Sequence, residues 1–394
     1  MLVSYFYNST FPSHAAASIQ ILNTCRALCE YGVAVTVYTG PIISPTVEEG
    51  LTFYGLAPHK NLRIMSFLET SWRSLTLQRE LRRLLRDRPV DERHFIVSRG
   101  ESGLDLFRGL REIGRGPEER YIFEAHRLCY TEAPRFSQPR VGLWGRYRIA
   151  RLVARTRELE KATVEGADGL ICVTSGVLTM LKQVARVACP TLILPGGTVV
   201  SEEEPPKDSR RDIDIVYAGK LEGYKGVDHL VEAMRFLPEY RLSIAGGSPQ
   251  QVEKIARLAK EFGVLERITL IGWIEPPDVR ALFQRARVGV CPLPGGVSLI
   301  SDLFTCPLKI LDMMACGTPI VSTDLPTVRA LVQHNRTALL VNANDPQTLA
   351  CAIRTLLVDR ALASRLSAEA RIQVSDYSWA KRAGRMFRFL ESLR

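Results

Sequence analysis

Short apolar runs alternate with longer stretches of helical periodicity along the whole chain. In the first half, six apolar runs predict strands at 1–7, 34–38, 62–65, 95–97, 121–124 and 169–173. Three longer stretches predict helices near 19–31, 72–88 and 146–165. Strands that alternate with helices are typical of a parallel sheet covered on both faces, so the pattern predicts an α/β fold.

A break in this pattern divides the chain. Residues 194–208 are rich in proline, glycine and charge, which suits a linker. A chain of 394 residues is long enough for two domains that each bury a core. We therefore expect a first domain at 1–195, a linker at 196–211 and a second doubly wound domain at 212–375.

The segment 305–322 predicts a helix with an anion site at its start. Cys306 stands at the expected N-cap and Pro307 at the first helical position, where no backbone donor is needed. The free N–H groups of the first turn, together with Lys309, would attract phosphate. Asp312 lies one turn further on, where its carboxylate can accept hydrogen bonds from the hydroxyls of a ribose.

A basic pair precedes this segment. A predicted strand at 214–219 leads into Lys220 and Lys225, and an amphipathic helix follows at 227–236. Two lysines on one strand-to-helix turn can converge on a diphosphate. The alternative is two solvated surface lysines, which is the ordinary state of a lysine in a polar loop.

Taken together, these motifs resemble family 4 glycosyltransferases of the GT-B fold, whose members carry a Gly-(Arg/Lys)-x4-Lys-Gly turn and a Pro-x-Lys-x-x-Glu-x-x-Ala-x-Gly-x-Pro-Val motif. The resemblance covers the whole chain and is strongest over 213–345. It implies two Rossmann-like, doubly wound domains facing across a cleft. It also implies a last helix, within 376–394, that returns to the first domain, with Trp379 and Phe387 as packing residues.

The resemblance assigns the donor to the second domain. It implies Gly219, Lys220 and Lys225 at the diphosphate, Asp312 at the ribose and the backbone around Ile274 beside the base. The predicted donor-binding set is Gly219, Ile274, Cys306, Leu308, Lys309 and Asp312, with Lys220 and Lys225 in catalytic roles.

In the first domain, His126 follows a predicted strand and resembles the family histidine that contacts the donor hexose near its anomeric carbon. The alternative is a histidine satisfied by a local backbone group. Arg99 at another strand end is a weaker candidate on the acceptor side. The loop after the first strand lacks the family's Gly-Gly pair, and its small residues, including Ser13 and Ser18, are the remaining acceptor candidates.

Two departures from the family concern the acids. Relatives commonly carry two glutamates that flank seven residues, whereas this chain has Phe304 and Asp312 at those positions and Asp302 nearby. Asp212 and Asp214 form an Asp-x-Asp sequence like that of metal-dependent glycosyltransferases of another fold. Here the pair precedes a strand rather than a nucleotide loop, so we expect no metal site.

The resulting hypothesis is transfer of a hexosyl group from a nucleoside-diphosphate sugar to a hydroxyl acceptor, with retention and without a metal or other cofactor. No side chain stands out as a general base, and the family mechanism lets the leaving phosphate oxygen take the acceptor proton. The alternatives are a nucleotide-sugar epimerase of the same architecture and a degenerate, non-catalytic nucleotide-sugar-binding subunit. A dinucleotide oxidoreductase is disfavoured because no Gly-x-Gly-x-x-Gly follows a strand.

Charge suggests a second partner. The net charge is +10, and the segment 135–157 contains seven arginines and no acid among apolar residues. Such a segment can lie on an anionic membrane, or it can be a solvated arginine face on a helix that packs inward. Nucleic acid is disfavoured because no reader motif accompanies the charge. With no signal peptide and no Cys-x-x-Cys pair, we expect a cytoplasmic protein, peripheral on the inner membrane face if the segment binds lipid.

Overall fold

The computed structural model describes residues 1–67, 75–86, 92–131, 143–201 and 211–393. They divide into two compact units. The first consists of Met1–Pro195 together with Trp379–Arg394, and the second of Gly196–Ser378. Residues 196–201, which the sequence suggests as part of a linker, belong to the second unit.

The described residues of the first unit form seven parallel strands and seven α-helices. The strands are β1 (Leu2–Phe6), β2 (Ala34–Thr39), β3 (Leu62–Ser66), β4 (His94–Arg99), β5 (Glu119–Ala125), β6 (Gly169–Cys172) and β7 (Thr191–Ile193). The helices are α1 (Ala16–Cys29), α2 (Val47–Thr52), α3 (Leu75–Arg86), α4 (Gly100–Ile113), α5 (Leu143–Gly166), α6 (Ser175–Val184) and the last helix of the chain, α14 (Trp379–Ser392).

The strand order of this sheet is β3-β2-β1-β4-β5-β6-β7. The order reverses between β1 and β4, where Leu2 pairs with His94 and Phe6 with Ser98. In open parallel sheets, ligands bind outside the carboxyl ends of the strands at such a reversal. The residues that follow β1 and end β4 are therefore the first place to look for a site in this unit.

The second unit repeats the plan, with six parallel strands in the part that the structure describes. They are β8 (Ile213–Ala218), β9 (Leu242–Ala245), β10 (Ile268–Gly272), β11 (Ala286–Cys291), β12 (Ile320–Thr323) and β13 (Leu339–Val341). Its helices are α7 (Val227–Ala233), α8 (Pro249–Glu261), α9 (Pro276–Arg285), α10 (Leu308–Ala315), α11 (Pro326–Arg329), α12 (Pro346–Val358) and α13 (Arg360–Val374).

The strand order of the second sheet is β10-β9-β8-β11-β12-β13, so its reversal lies between β8 and β11. Both sheets are sandwiched between helices, and nearly every inward residue of their strands is buried. One core cluster joins β8 and β9 to α7, α8 and α12, and another joins β11 and β12 to α9 and α10. The sequence prediction of an α/β fold with two Rossmann-like, doubly wound sheets is confirmed.

Several elements differ from the predicted ones. The helices α2, α4 and α6 and the strand β7 were not predicted. The sequence from 345 to about 373 predicts one long helical region, whereas the structure has two helices there, α12 and α13, which meet at the cap residue Asp359. The helix at 305–322 begins at Leu308 with Pro307 as its cap, so the placement of Cys306 at the N-cap was wrong by one residue.

The last helix packs in the first unit. Trp379 at its start is 9% exposed, and Phe387 stacks on Tyr31 of the first unit with ring centroids 5.2 Å apart. Within the part of the chain that the structure describes, no helix is both long enough and apolar enough to cross a bilayer.

Candidate functional site

The loop after β8 contains a glycine, Gly226, at a position where any side chain would force the backbone to move. Gly226 has φ 71°, and a Cβ there would lie 1.7 Å from the carbonyl oxygen of Pro292, which follows β11. The loop thus packs directly against the end of β11 at the reversal of the sheet. This contact fixes the one-turn helix Gly223–Lys225 in which Lys225 lies.

The three lysines of the predicted diphosphate site differ in environment. Lys220 is exposed, and its Nζ lies 3.7 Å from Glu222 Oε1. Lys225 is partly buried, with Nζ 4.7 Å from the centre of the Tyr224 ring. Burial lowers the pKa of Lys225, and the nearby charge of Lys220 lowers it further. The two ammonium groups therefore lie close enough to repel each other, as they would around a shared anion.

Lys309, in the first turn of α10, points inward beneath Gly219. Its Nζ lies 3.6 Å from the centre of the Tyr217 ring, and a Cβ on Gly219 would lie 2.9 Å from that nitrogen. The nitrogen is buried and has no hydrogen-bond partner among the described residues. Burial lowers the pKa of Lys309 to about 7, and the positive charge of Lys225 contributes. This lysine is held by cation–π attraction and lacks a counter-ion.

Asp312 lies one turn further along α10 and is held by Thr198, whose hydroxyl donates to Asp312 Oδ1 at 2.6 Å. Burial raises the pKa of Asp312. Thr198 is itself placed by the hydrogen bond from its N–H to the carbonyl of Tyr377. One carboxylate oxygen is thus engaged within the protein.

The remaining predicted donor residues surround the start of α10. Cys306 Sγ accepts the N–H of Gly196 at 3.3 Å. Leu308 lies against the same glycine, since a Cβ on Gly196 would be 2.3 Å from Leu308 Cδ2. Ile274 follows β10 and packs at the edge of the core cluster that contains α10. The structure therefore brings Cys306, Leu308 and Ile274 to one region of the second unit.

Phe304 and Asp302, which lie where relatives carry the first glutamate or close to it, both have structural roles. Phe304 is buried, with 2% of its surface exposed. Asp302 accepts the N–H of Gly296 on both carboxylate oxygens, at 3.2 and 3.1 Å, so it caps a local loop.

The Asp-x-Asp pair is engaged by arginines. Asp212 is paired with Arg285, and Asp214 is paired with Arg287 at 2.7 Å. Neither carboxylate is a free ligand, and the described ranges contain no group of three or more metal-ligating His, Cys, Asp or Glu side chains.

In the first unit, His126 lies just beyond β5 and bonds a buried carboxylate. Its Nε2 is 2.9 Å from Glu124 Oε1, and Glu124 is 1% exposed. Burial lowers the pKa of His126 to about 4, with the charge of Arg99 contributing, so the ring is neutral at pH 7. Because the carboxylate can only accept, Nε2 carries the proton and Nδ1 presents a lone pair.

Glu124 is ionised in spite of its burial. Burial acts to raise its pKa, but the Arg382 guanidinium and the hydrogen bond from His126 outweigh it and hold the pKa well below the ordinary value. Arg382, on α14, donates to Glu124 Oε1 at 2.9 Å and to Thr24 at 2.6 Å. The last helix therefore supplies the cation that keeps Glu124 charged and His126 oriented.

Arg99 ends β4, next to β1 at the reversal of the first sheet. Its Nη1 is buried and has no hydrogen-bond partner among the described residues. Burial lowers the pKa of this guanidinium, while Tyr5 and Glu124 oppose that effect.

The two candidate serines, Ser13 and Ser18, make hydrogen bonds within the protein. Ser13 N–H donates to the Tyr54 hydroxyl, which in turn donates to the Ser13 carbonyl. Ser18, in the first turn of α1, is 1% exposed, and its hydroxyl shares a hydrogen bond with Tyr7. The Ser18 N–H donates to the carbonyl of Ala15, so this N–H is not available to a ligand.

Sequence reasoning missed the residues that hold the candidates in place. Tyr217 beneath Lys309, Thr198 beside Asp312, and Glu124 with Arg382 beside His126 were not predicted. A buried aromatic or acid near a strand end gives no periodic signal, and Arg382 lies 258 residues from Glu124 in the chain.

Comparison with known proteins agrees with this geometry. Residues 212–359 match the family described as "Glycosyl transferases group 1". A D-inositol 3-phosphate glycosyltransferase of Xylanimonas cellulosilytica is 30% identical over 44% of this chain and 40% of its own length. An alpha-maltose-1-phosphate synthase of Mycolicibacterium smegmatis is 28% identical over 60% of this chain and 65% of its own length. The matches thus span about half the length of these relatives.

Solved structures share the fold over the whole chain. A sucrose-phosphate synthase of Thermosynechococcus elongatus has a TM-score of 0.77 at 21% identity, covering 100% of this chain and 98% of its own. HepE of Anabaena, in complex with UDP-glucose, has a TM-score of 0.73 at 14% identity, with both chains covered completely. The chain has the GT-B fold, and residues 212–359 of its second unit are similar to the glycosyl transferases group 1 family.

Proposed function

We propose that this chain is a retaining glycosyltransferase that moves a hexosyl group from a nucleoside-diphosphate sugar to a hydroxyl acceptor in glycan, polysaccharide or glycolipid synthesis. The observation that carries the proposal is the lysine cluster at the sheet reversal of the second unit. Lys225 and Lys309 are partly buried there; the charge of Lys220 lowers the pKa of Lys225, and the charge of Lys225 lowers that of Lys309. A multiply charged anion between these lysines would offset their mutual repulsion.

The chemistry follows from where charge develops. When the bond between the anomeric carbon and the diphosphate breaks, negative charge grows on the departing phosphate oxygens. Lys220, Lys225 and Lys309 are placed to stabilise that charge, which is the largest contribution such a site can make. The departing oxygen then takes the proton of the attacking hydroxyl, so no separate base is required and the new bond forms on the same face.

The proposed roles of the other residues use the atoms that remain available. Asp312 has one carboxylate oxygen free of Thr198, and it can accept from a ribose hydroxyl. His126 is neutral with a lone pair on Nδ1, so its proposed role is to accept a hydrogen bond from a hydroxyl of the donor sugar. We propose that catalysis requires no metal, because the lysines offset the phosphate charge.

Names of similar proteins support the class of reaction and of donor. The two relatives described above are named as a glycosyltransferase and a glycosyl phosphate synthase, and the HepE structure contains UDP-glucose. An epimerase remains the catalytic alternative, and it would convert the donor without an acceptor. A non-catalytic subunit would bind the donor and release no nucleotide from it.

Replacement of Lys225 by Ala tests the diphosphate assignment. We expect turnover to fall by about 100-fold or more, because removing one donor of an electrostatic site costs roughly 10²–10³ in rate. The assay is release of nucleoside diphosphate from uridine, guanosine and adenosine diphosphate sugars. Lys254→Ala, an exposed lysine on α8, is the matched control and should leave the rate unchanged. An unchanged rate in Lys225→Ala would remove the basis of the assignment.

We also propose that the first half of α5 lies on an anionic membrane. Residues 135–142 of the predicted basic segment lie outside the described residues, but 143–157 begin α5. Trp144, Tyr147 and Leu152 are 81%, 59% and 50% exposed. These apolar residues share one side of the helix with Arg148, Arg151 and Arg155, since all six recur at a spacing of three or four. The observed exposure does not fit the alternative in which these three apolar residues pack inward.

Vesicle binding tests this partner. The full chain should sediment with phosphatidylglycerol vesicles and not with phosphatidylcholine vesicles, and binding should weaken as salt screens the arginines. The variant Trp144→Ser/Arg148→Gln/Arg151→Gln should lose binding, while Arg235→Gln/Arg257→Gln, with exposed arginines of the second unit, should keep it. Equal binding to both lipids would count against a membrane-facing role.

A further inference from the structure

Among the described residues, the first unit holds a guanidinium without an ion-pair partner of its own. The buried carboxylate of Glu124, at the end of β5, accepts hydrogen bonds from Tyr5, Gln20, His126 and Arg382. Arg99 is not among these donors. With His126 neutral, two guanidinium groups face one carboxylate, so one positive charge is left over.

Arg99 carries that excess charge. Among the described residues no carboxylate forms an ion pair with it, and its Nη1 is buried without a hydrogen-bond partner. Glu101, in the next turn of the chain, is not paired with it either. Arg382, by contrast, donates to a carboxylate, a hydroxyl and a carbonyl. Buried charges in proteins are normally paired, and an unpaired one costs stability unless a ligand completes it.

The surroundings of Arg99 suit an oxyanion. Arg99 is the cap residue of α4, a helix of 14 residues, and no side chain caps its free N–H groups. The side chain of Tyr7, which follows the neighbouring strand β1, lies near Arg99. The site is at the point of the sheet where ligands of open parallel sheets bind. Arg99 as a whole residue is partly exposed, although its Nη1 is buried.

We infer that Arg99 binds an oxyanion, a phosphate or a carboxylate, carried by the acceptor of the transfer reaction. A guanidinium pairs with both groups through two parallel hydrogen bonds, which also orients the acceptor. This inference rests on the proposed function, because it names a feature of the acceptor. It makes Arg99 a residue that selects charged acceptors over neutral ones.

Thermal unfolding with matched ligands tests the inference. The probes are inorganic phosphate, glucose 6-phosphate, glucuronate and glucose, added to the full chain. We expect the three anions to raise the unfolding midpoint and glucose to leave it unchanged, since a ligand that binds only the folded state stabilises it. A response to glucose 6-phosphate alone, or to glucuronate alone, identifies which oxyanion the acceptor carries.

Three variants locate the effect. Arg99→Met should abolish the response or weaken the affinity by about 10- to 100-fold, the usual effect of losing a charged hydrogen bond. Its midpoint without ligand should exceed that of the original chain, because the unpaired charge is gone. Arg111→Met, an exposed arginine at the other end of α4, should respond as the original chain does. Lys225→Ala should also keep the response.

Other results would overturn the inference. Equal responses in Arg99→Met and the original chain would show that the anions bind elsewhere, and loss of the response only in Lys225→Ala would place them at the diphosphate site. Absence of any response to the three anions would remove the site altogether. The proposed donor site is tested separately by the binding of a nucleoside diphosphate, which Arg99→Met should retain. Failure of the oxyanion site at Arg99 is therefore distinguishable from failure of the donor site.

Discussion

At the residue scale, Lys309 is the most unusual group in the second unit. It is a lysine without a counter-ion, held over the Tyr217 ring beneath Gly219. The sequence indicated a cation near this helix start, because a lysine follows the proline there. It gave no sign that the side chain turns inward, since that depends on the space left by a glycine 90 positions earlier.

The pKa of Lys309 predicts how donor binding depends on pH. Burial lowers this pKa to about 7, and a bound diphosphate would raise it because the charged form gains a partner. Binding therefore takes up a proton above pH 7, and affinity should fall as the pH rises from about 7 to 9 and level off below 7. Calorimetry in buffers of different ionisation enthalpy measures the uptake directly.

The matched variant for this prediction is Lys309→Met. It should bind a nucleoside diphosphate more weakly and without the pH dependence or proton uptake. In the absence of ligand it should be more stable than the original chain at pH 7, by about 1 kcal/mol or more, because a buried lysine with a lowered pKa opposes folding wherever the unfolded chain stays protonated. An affinity that stays constant from pH 6 to 9 would show that Lys309 does not meet the anion.

At the scale of elements, the last helix, α14, both packs in the first unit and supplies one side of a buried ion pair. It covers α1 in the first unit and brings Arg382 to Glu124 at the end of β5. The break near 194–208 was readable from the sequence, and the family resemblance implied the last helix. The ion pair was not, because residues 124 and 382 are joined only by the folded sheet.

Removal of Arg382 should destabilise the first unit strongly. Both side chains of the pair are 2% exposed, so Arg382→Met leaves a buried carboxylate without its cation, which typically costs about 3–5 kcal/mol. Denaturant unfolding measures the loss. The double variant Arg382→Met/Glu124→Gln should recover a large part of it, because neither charge is then left alone. A double variant as unstable as the single one would show that packing of α14, rather than charge, is what matters.

The elements that were missed have physical reasons. The strand β7 is three residues long and lies at the edge of the sheet, where pairing needs no long apolar run. The helix α4 begins with three small or polar residues after Arg99, so the apolar periodicity that would reveal the helix begins only after its first turn. Helix α10 begins one residue later than predicted because Pro307 takes an extended conformation, with ψ 93°, as its cap.

At the scale of the whole molecule, two similar units carry different chemistry. The second unit gathers lysines at its sheet reversal, and the first gathers a neutral histidine and an unpaired arginine at its own. The order of motifs in the sequence predicted the fold well, because each motif is local, and the assignment of the donor to the second unit stays a prediction. The contents of the first unit's site come from three strand ends and the last helix, which no local pattern joins.

The most direct test of the account follows the anomeric carbon of the donor. The full chain is incubated in EDTA with uridine, guanosine or adenosine diphosphate α-hexoses and a mixture of hexose phosphates and glycolipid acceptors, and the products are resolved by proton NMR. We predict release of the nucleoside diphosphate together with an α-linked product from at least one donor. A β-linked product, an isomerised donor with its diphosphate intact, or donors that all remain unchanged would contradict the account.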